Sequence, residues 1–543
     1  MKALSLMSLA ILGTTTLACS GELENGIPSD GQEDRSQGGD SPPPGGDDGD
    51  GSGDGDGSGD GDGSGGDGSG DDGDGDGDGE ATTQTIPVEL FPEVSGAAAE
   101  RLNFGVPMPR GLVVDADLVR IEIDGTEIPA YVRPFAWHRD DSIRSVQIQV
   151  DVDVSDAREL EVVVGAAAEA GALEPVPVEE TLISADGTEG PRVHAVLPPA
   201  WLLQSGLVGP VPSAPSAGEE GLGAWSGVCD YDRYDTARFL RDSGSRGAWL
   251  YDRPTAMVRL HALTGELSPL RSALREAHIY RDRITGSGSS TRIGVPTAAS
   301  DLKYHYSQGM AIAYLLTGDE RFRRRAEDVA TRASDLWRPR YVPGGRFWTE
   351  RHAGFALLTY VWTARISHDR RDEFLALADE AVEAYRDGQL TYPLHYDSDD
   401  ARCFAYANGG GTELCSPWLS AILADGLEEY AAERGGDRAA MARDSLVLLG
   451  RMLALHGLDS SGKPYDRIAG DGSFGNQDPH HEHWGETPYV IAMAWHHDGR
   501  RDDALRSTID DLIGGLSRHG VAPHTRSFNW QCRAAALTPL YLR

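Results

Sequence analysis

A two-helix unit recurs along the second half of this 543-residue chain and constrains its fold more than any other feature. The runs AMVRLHALTG and GMAIAYLLTG carry the same LTG letters, at Leu263 and Leu316, and an amphipathic stretch rich in charged residues follows each run. Three further runs, LLTYVWTARI, LSAILADGLEEY and YVIAMAWHH, begin the same kind of unit, and another apolar run lies near Asn529. Repetition of this kind is typical of helical repeat architectures, in which neighbouring units bury a shared core.

The two helices of each unit differ in composition. The first is apolar around most of its surface, which predicts a buried position, and the second carries a charged stripe, which predicts an outer position. About six inner helices are expected, which is the number used by an (α/α)6 toroid. We therefore predict such a toroid for residues 233–543.

Residues 84–200 follow a different period. The stretches TIPVEL, LVRIEID, SVQIQVDV and LEVVV alternate or run apolar with β-branched residues, and Gly, Asp and Pro separate them. This pattern predicts short strands in one β-sandwich or barrel. Residues 201–232 are rich in Gly, Pro and Ser and are expected to connect the β domain to the toroid. The predicted fold class is therefore a multidomain α+β protein.

The first 19 residues have the features of an export signal. One Lys precedes an apolar run from Ala3 to Gly13, which is too short to span a bilayer. The letters TLAC at residues 16–19 resemble the lipobox of bacterial lipoproteins. In that family the cysteine is acylated and becomes the mature N-terminus. The resemblance implies a lipid at Cys19, and Ser20 in the next position implies the outer membrane or cell surface.

Residues 20–83 consist almost entirely of Gly, Asp, Ser and Pro, as in GDGDGSGDGDGSGG. This composition cannot bury a core and its like charges repel one another, so we predict an extended, disordered tether. The formal net charge of the chain is −37, and residues 20–80 carry −19 of it. The remainder is acidic as well, which argues against a nucleic-acid binder, because that class needs a basic face.

Four cysteines remain when Cys19 is assigned to the lipid: Cys229, Cys403, Cys415 and Cys532. An even number of cysteines in an exported protein permits disulfides. Cys403 and Cys415 bracket the loop CFAYANGGGTELC and are the preferred pair, although three pairings are open.

Two segments of the β domain carry a family resemblance. LNFGVPMPRGLV, from Leu102 to Val113, and WHRDDSIRSVQIQV, from Trp137 to Val150, resemble N-terminal segments of rhamnogalacturonan exolyase-like proteins. Those proteins begin with a β domain that an α/α toroid follows, which is the order of the two patterns here. His138 and Ser145 stand where that family usually has Pro and Trp.

Six segments precede the predicted inner helices, and we call them the mouth segments, because a toroid brings the ends of its inner helices to one funnel. They are residues 248–255, 301–309, 346–354, 404–420, 478–489 and 523–531. They are rich in Tyr, His, Arg, Asn and Trp, whereas ordinary loops favour Gly, Pro, Ser, Asn and Asp. Rings beside cations suit a carbohydrate, since sugar C–H faces pack on rings and hydroxyl groups need donors and acceptors.

This layout resembles the toroid polysaccharide lyases of the alginate, chondroitin and heparin families. β-Elimination at a uronate needs a group that neutralises the carboxylate, a base and an acid. In those families Asn, His, Arg or Glu neutralises, and Tyr or His transfers protons. The resemblance implies these catalytic candidates: Asn408, Arg351 and His352 as neutralising groups, His305 as base, and Tyr304 or Tyr306 as acid. From the segment 478–489 itself we expect one histidine, His481 or His483, near the chemistry. The expected substrate-binding residues are Trp348, Trp418, Trp484, Trp530, Asn529 and Arg526. The alternatives are a structural turn for Asn408, contacts at a helix start for Arg351, His352, Tyr304, His305 and Tyr306, and a core position for the tryptophans.

The segment DPHHEHWGETPY allows a second interpretation. Asp478, His480, His481 and His483 offer ligands that suit zinc, but their spacing is not that of a helical zinc motif. Asp230, Asp232 and Asp235 form a weaker candidate for a structural calcium ion. The predicted chemistry requires no cofactor.

Two other functions are open at this stage. Glu350, Glu413, Glu482 and Glu486 all fall in the mouth segments and supply the carboxyl pair that a glycoside hydrolase needs. A lipid-anchored, non-catalytic glycan binder would use the same aromatic residues. The preferred prediction is a polysaccharide lyase that acts on an acidic polysaccharide.

Overall fold

The computed structural model describes most of the chain from residue 83 onward. The described residues are 83–94, 99–155, 159–212, 228–336, 349–391, 398–404, 406–407, 413–469, 475–477, 483–521 and 523–542. The predicted signal, the lipid site at Cys19 and the predicted tether lie outside them. So do six predicted site residues: Trp348, Asn408, Asp478, His480, His481 and Glu482.

The N-terminal part of the described chain is built from two antiparallel sheets. The first has the order β4-β3-β7-β1-β8, and the second has the order β2-β6-β5. The strands are β1 (Gln84–Pro92), β2 (Ala99–Pro107), β3 (Val119–Ile123), β4 (Thr126–Ile128), β5 (Ala130–Trp137), β6 (Ile143–Asp153), β7 (Glu159–Val164) and β8 (Val193–Val196). In β1 the buried residues Ile86, Val88 and Leu90 alternate with less buried neighbours, as expected for a strand with one face on the core.

The helices begin where the sheets end. Two short helices, α1 (Pro199–Gln204) and α2 (Thr236–Asp242), precede six consecutive helix pairs in the described chain. The first helices of the pairs are α3 (Arg253–Thr264), α5 (Gln308–Thr317), α7 (Glu350–Ile366), α9 (Ser420–Arg434), α11 (Glu486–His497) and α13 (Thr525–Ala535). The second helices are α4 (Leu267–Asp282), α6 (Glu320–Leu336), α8 (Arg371–Thr391), α10 (Gly436–His456), α12 (Asp503–His519) and α14 (Thr538–Tyr541).

The repeated LTG letters mark helix ends. Gly265 and Gly318 follow α3 and α5 with φ angles of 74° and 68°, and each donates its N–H to a carbonyl of the preceding turn. A left-handed residue at this position is most easily supplied by glycine, which ends the helix and allows a sharp reversal into the second helix of the pair.

The first helices of the pairs are the buried ones. Every residue of α7 is buried, whereas α6 buries one stripe: Phe322, Ala326, Val329, Ala330 and Ala333. Each first helix contacts the next one along the chain, and α13 also contacts α3. The chain is thus a mixed fold with sheets at the N-terminal side and helices at the C-terminal side. The (α/α)6 toroid itself stays a prediction.

The second sheet lies directly on the end of α5. A Cβ atom on Gly105 would come within 2.2 Å of the carbonyl oxygen of Leu315, so only glycine fits this approach. The Ser145 hydroxyl donates to that same carbonyl at 2.8 Å, and the Asn103 amide donates to the Thr317 carbonyl at 2.8 Å. Ser145 therefore satisfies a carbonyl at the end of α5.

A chain of buried ion pairs crosses from the sheet into the helices. Arg144 of β6 pairs with Glu433 of α9 at 3.0 Å, and Arg365 of α7 pairs with both Glu433 at 3.0 Å and Glu429 at 2.6 Å. A second group lies deeper among the helices, where the Asp425 carboxylate pairs with Arg259 at 2.8 Å and with Arg533 at 2.7 Å.

Two disulfides are formed, one between Cys403 and Cys415 and the other between Cys229 and Cys532. The second joins residues 303 positions apart and ties the segment before α2 to α13. None of the helices in the described residues is long and apolar enough to span a membrane.

Candidate active site

The segment before α3 has an unusual backbone. Tyr251 and Asp252 adopt φ angles of 75° and 47°, in the left-handed region that bulky residues rarely occupy. Each such residue costs about 1–3 kcal/mol, and strain of this kind persists where the surrounding structure holds it, often at functional sites. Tyr251 is fully buried, and its side chain is directed to the start of α7.

Arg351, the second residue of α7, meets Tyr251 there. Its guanidinium donates to the Tyr251 hydroxyl oxygen at 2.7 Å, and its central carbon lies 5.8 Å from the ring centres of both Tyr251 and Trp418. A cation at the N-terminus of a helix opposes the helix dipole, so this position does not serve helix stability. An anion placed beside it would be attracted by both the guanidinium and the helix end.

Aromatic rings surround this pair. Trp418 stacks on His483 with ring centres 4.5 Å apart and an interplanar angle of 5°. Trp530 lies 5.0 Å from Trp418, 5.1 Å from Tyr251 and 5.5 Å from His483. Three mouth segments far apart in sequence therefore form one aromatic cluster with Tyr251, and Trp418 is its partly exposed member.

Carboxylates flank the imidazole of His483. Its Nε2 lies 3.8 Å from Asp466 and its Nδ1 lies 3.5 Å from Glu486. Asp466, on the short strand Tyr465–Ala469, also accepts a hydrogen bond from the Trp418 indole at 2.8 Å. Because the two carboxylates face opposite edges of the ring, they cannot share one metal ion with His483, but they can accept its ring protons.

Glu350 is the fully buried first residue of α7. Its carboxylate accepts the Ser416 N–H at 2.9 Å. Among the described residues, the only group of three with metal-ligand atoms close together is Glu350 with Cys403 and Cys415. Both sulfurs of that group are bound in a disulfide, which leaves a single carboxylate and no thiolate ligand.

His352 pairs with Asp301 of the second mouth segment. The Nε2 atom of His352 is 2.9 Å from Asp301, its Nδ1 atom is 2.7 Å from the Thr349 hydroxyl, and Lys303 contacts Asp301 at 3.1 Å. Burial lowers the pKa of His352 in spite of Asp301. Burial alone would raise the pKa of Asp301, but the His352 hydrogen bond and the charges of His352 and Lys303 bring it well below its usual range. A neutral His352 that donates from Nε2 satisfies both contacts.

The other candidates of the second mouth segment lie in packed positions. His305 is buried with its Nδ1 3.0 Å from the Asp301 carbonyl, and burial lowers its pKa to about 4. The Tyr304 carbonyl accepts the Tyr280 hydroxyl at 2.6 Å. The Tyr306 hydroxyl contacts the Lys303 carbonyl and the Tyr251 N–H, and burial raises its pKa well above the usual value. The predicted catalytic roles of these three residues stay predictions.

The predicted substrate-binding residues divide into two groups. Arg526 lies 4.7 Å from the Trp530 ring centre and so belongs to the aromatic cluster. Asn529 is buried, and its amide donates to the carbonyls of Ala248 and Leu250, which fixes the segment before Tyr251. Trp484 is also buried, but it stacks on His519 of α12, 5.1 Å between ring centres, rather than on the cluster.

Each of the three aspartates proposed for calcium accepts a hydrogen bond within the protein. Asp230 accepts the Arg233 N–H, Asp235 accepts the Arg238 N–H at the start of α2, and Asp232 accepts the Ser268 hydroxyl. The Asp230 and Asp235 contacts are those of a turn and a helix cap, and the Asp232 contact joins side chains 36 positions apart.

Sequence reasoning missed two residues of this site. Tyr251 lies in the first mouth segment, and Asp466 lies on a strand outside every mouth segment. The Arg-Pro that follows Tyr251 and Asp252 marks a helix start, but no Gly or Asn signals the left-handed turn before it. No sequence signal pointed to Asp466.

No family model and no curated protein matches the sequence. The solved structure of a protein named Polysaccharide Lyase BACCELL_00875 is similar to this chain, with a TM-score of 0.41 and 13% sequence identity. The similarity covers 59% of this chain and 97% of that one. A structural neighbour of this chain is thus a polysaccharide lyase. Similarity at this level assigns no role to any residue.

Proposed function

We propose that this chain is a carbohydrate-active enzyme, a polysaccharide lyase that cleaves a uronate-containing polysaccharide by β-elimination on an (α/α)6 toroid. The observation that supports it best is the 2.7 Å contact between Arg351 and the Tyr251 hydroxyl beside Trp418 and Trp530. Export and anchoring through a lipid on Cys19, at the outer membrane or cell surface, belong to the same proposal.

The chemistry follows from the residues around that contact. Arg351 binds the uronate carboxylate and neutralises it, which makes the proton on the neighbouring carbon acidic. Tyr251, whose oxygen carries negative charge more easily beside the guanidinium, takes that proton. The C4–C5 double bond forms as the bond from C4 to the leaving oxygen breaks, and His483, between Asp466 and Glu486, protonates that oxygen.

The chain is acidic overall and would repel the acidic substrate proposed here, so the substrate needs local cations at its binding site. Arg351, Arg526 and Lys303 lie in the mouth segments, and Arg467 lies beside Asp466. Net charge acts over long distances and is screened by salt, whereas a guanidinium at contact distance acts on the bound carboxylate directly. Binding of the substrate is therefore governed by these local cations.

A glycoside hydrolase is the second candidate, and buried carboxylates favour it. Glu350 and Glu486 are both buried; Glu486 lies 3.5 Å from His483, and Glu350 accepts the N–H of Ser416, two residues before Trp418. The side chain of Glu413 and all of Glu482 lie outside the described residues. A hydrolase would use one carboxyl group as acid and the other as base or nucleophile. A non-catalytic protein that binds glycans is the third candidate.

The test is an ultraviolet absorbance assay for the unsaturated uronate, with the full chain on a panel of uronate polysaccharides. We expect absorbance to rise with the wild type, and we expect Tyr251→Phe and Arg351→Gln to lose roughly 10²–10⁴-fold in rate. Tyr385→Phe is the matched control, because this buried tyrosine donates to the backbone carbonyl of Ala353 and not to a side chain of the cluster. New reducing ends without absorbance would overturn the lyase in favour of the hydrolase, and then Glu350→Gln and Glu486→Gln would be inactive.

A further inference from the structure

The position of the Tyr251 oxygen depends on a backbone that two residues would not adopt unaided. Tyr251 and Asp252 are consecutive left-handed residues, with φ angles of 75° and 47°, and neither is glycine or asparagine. If this turn relaxed toward ordinary values, the tyrosine side chain would leave its 2.7 Å contact with Arg351. Some part of the fold must therefore hold the turn.

Tyr306 holds the first of the two residues. Its hydroxyl oxygen accepts the Tyr251 N–H at 3.0 Å and donates to the Lys303 carbonyl. The position of Tyr306 is itself fixed, because its own N–H donates to the Tyr280 hydroxyl at 3.0 Å and its ring lies 4.9 Å from that of Phe355. A phenol that serves one donor and one acceptor in this way needs to stay protonated, and its burial ensures that.

The second left-handed residue, Asp252, is held by the hydrogen bonds of its own side chain. Its buried carboxylate accepts the Thr255 hydroxyl at 2.8 Å and the Gly309 N–H at 2.9 Å, so it ties the turn to the starts of α3 and α5. The approach of Gly309 is close, because a Cβ atom there would lie 2.5 Å from the Asp252 oxygen and 2.9 Å from Pro254. A side chain at residue 309 would push the carboxylate out of place.

We infer that Tyr306 and Asp252 are positioning residues that hold Tyr251 in its left-handed conformation, with its hydroxyl against Arg351. The inference rests on the proposed function in one respect, which is that Tyr251 takes part in the reaction. It also assigns Tyr306 a role different from the acid expected from the sequence, because its hydroxyl is already committed to the backbone on both sides.

Kinetics of Tyr306→Phe test the inference. We expect kcat to fall about tenfold, the size expected for loss of one hydrogen bond, while KM changes by less than about twofold. The rise of kcat with pH should move to higher pH, because a displaced Tyr251 loses the guanidinium that favours its phenolate. Tyr385→Phe removes an equally buried hydroxyl, and it should lose similar thermal stability without changing kcat or the pH profile.

A crystal structure of Gly309→Ala gives a readout that is independent of activity. We expect Asp252 to be displaced and the φ angle of Tyr251 to become negative, and the same change in Tyr306→Phe. A wild type that yields no unsaturated product, together with these backbone changes, would support the positioning role and overturn the proposed function. An unchanged positive φ in both variants, or kcat values equal to that of Tyr385→Phe, would overturn the positioning role.

Discussion

Trp418 is the partly exposed member of the aromatic cluster, and at the scale of single residues it is the natural platform for a sugar ring. One face stacks on His483, and its indole N–H is fixed by Asp466 at 2.8 Å. Both contacts hold the ring rigid, so little conformational entropy is lost when a substrate packs on it.

We expect Trp418→Ala to raise KM by roughly tenfold or more, because truncation of an aromatic anchor typically costs about 2 kcal/mol. Trp418→Phe retains a ring but loses the hydrogen bond to Asp466, and its KM should lie between those of the wild type and Trp418→Ala. Steady-state kinetics on the preferred substrate measure both. Trp484→Phe is the control, since Trp484 packs on His519. An equal rise in KM for the Trp484 variant would show that the cluster has been assigned to the wrong tryptophan.

The sequence predicted most of the residues that lie together at this site, but it did not predict the tyrosine to which the proposed reaction assigns the base role. Arg351, Trp418, His483 and Trp530 were all predicted from the aromatic and basic content of the mouth segments, and the structure brings them together. Tyr251 was not singled out, because its importance comes from a backbone conformation and from a partner 100 residues away. Neither property is visible in local composition.

At the scale of elements, the first helices of the pairs are buried but not purely apolar. They carry charged residues of both groups of buried ion pairs: Arg259 on α3, Arg365 on α7, Asp425, Glu429 and Glu433 on α9, and Arg533 on α13. The periodicity of the sequence predicted which helices are buried. It did not predict these pairs, because each partner lies on a different helix and a single charge in an apolar run carries no information about its partner.

We expect Glu433→Gln to lower the free energy of unfolding by about 3–5 kcal/mol, because it leaves Arg144 buried without its carboxylate and leaves Arg365 with Glu429 alone. Chemical denaturation measures the change. Asp510→Asn is the control, because its partner Arg506 lies on the solvent face of α12 and such pairs contribute less than about 1 kcal/mol. A loss of stability no larger than that of the control would mean that the buried ion pairs of Glu433 do not couple the sheet to the helices.

At the scale of the whole molecule, three buried histidines lie between the first sheet and the helices. His194, His261 and His278 line one cavity with apolar residues of β8 and α4. Burial lowers their pKa values to about 3, about 4 and about 3 respectively. Each is therefore neutral in the folded protein across the physiological range.

Acid should destabilise this junction. In the unfolded chain each histidine binds a proton below a pKa of about 6.5, and in the folded chain it does not. The free energy of unfolding is therefore unaffected by these histidines above a pH of about 6.5. It falls as the pH drops toward 4, by up to about 1.4 kcal/mol per pH unit for each histidine. Unfolding measured from pH 7 to pH 4 should show a shallower loss for His278→Gln, and an unchanged slope for the exposed His524→Gln. Equal slopes for wild type and His278→Gln would contradict this account.

The order of sheets followed by helices was predictable, because apolar residues recur every second position in strands and every three to four positions in helices. The junction between them was not, because it depends on single close contacts such as Gly105 against Leu315 and Ser145 against the same carbonyl. These contacts join residues whose separation in sequence exceeds 150 positions.

The mass of the oligosaccharides released from a uronate polysaccharide tests the central claim most directly. Elimination and hydrolysis cleave the same glycosidic linkage at different bonds, C4–O in elimination and C1–O in hydrolysis, and only hydrolysis adds one water to the products. We predict that every new non-reducing end is an unsaturated uronate, lighter by one water than the hydrolytic product, and that Tyr251→Phe releases almost none. Products that carry the added water, or products released equally by the Tyr251 variant, would contradict the assignment of this site as a lyase.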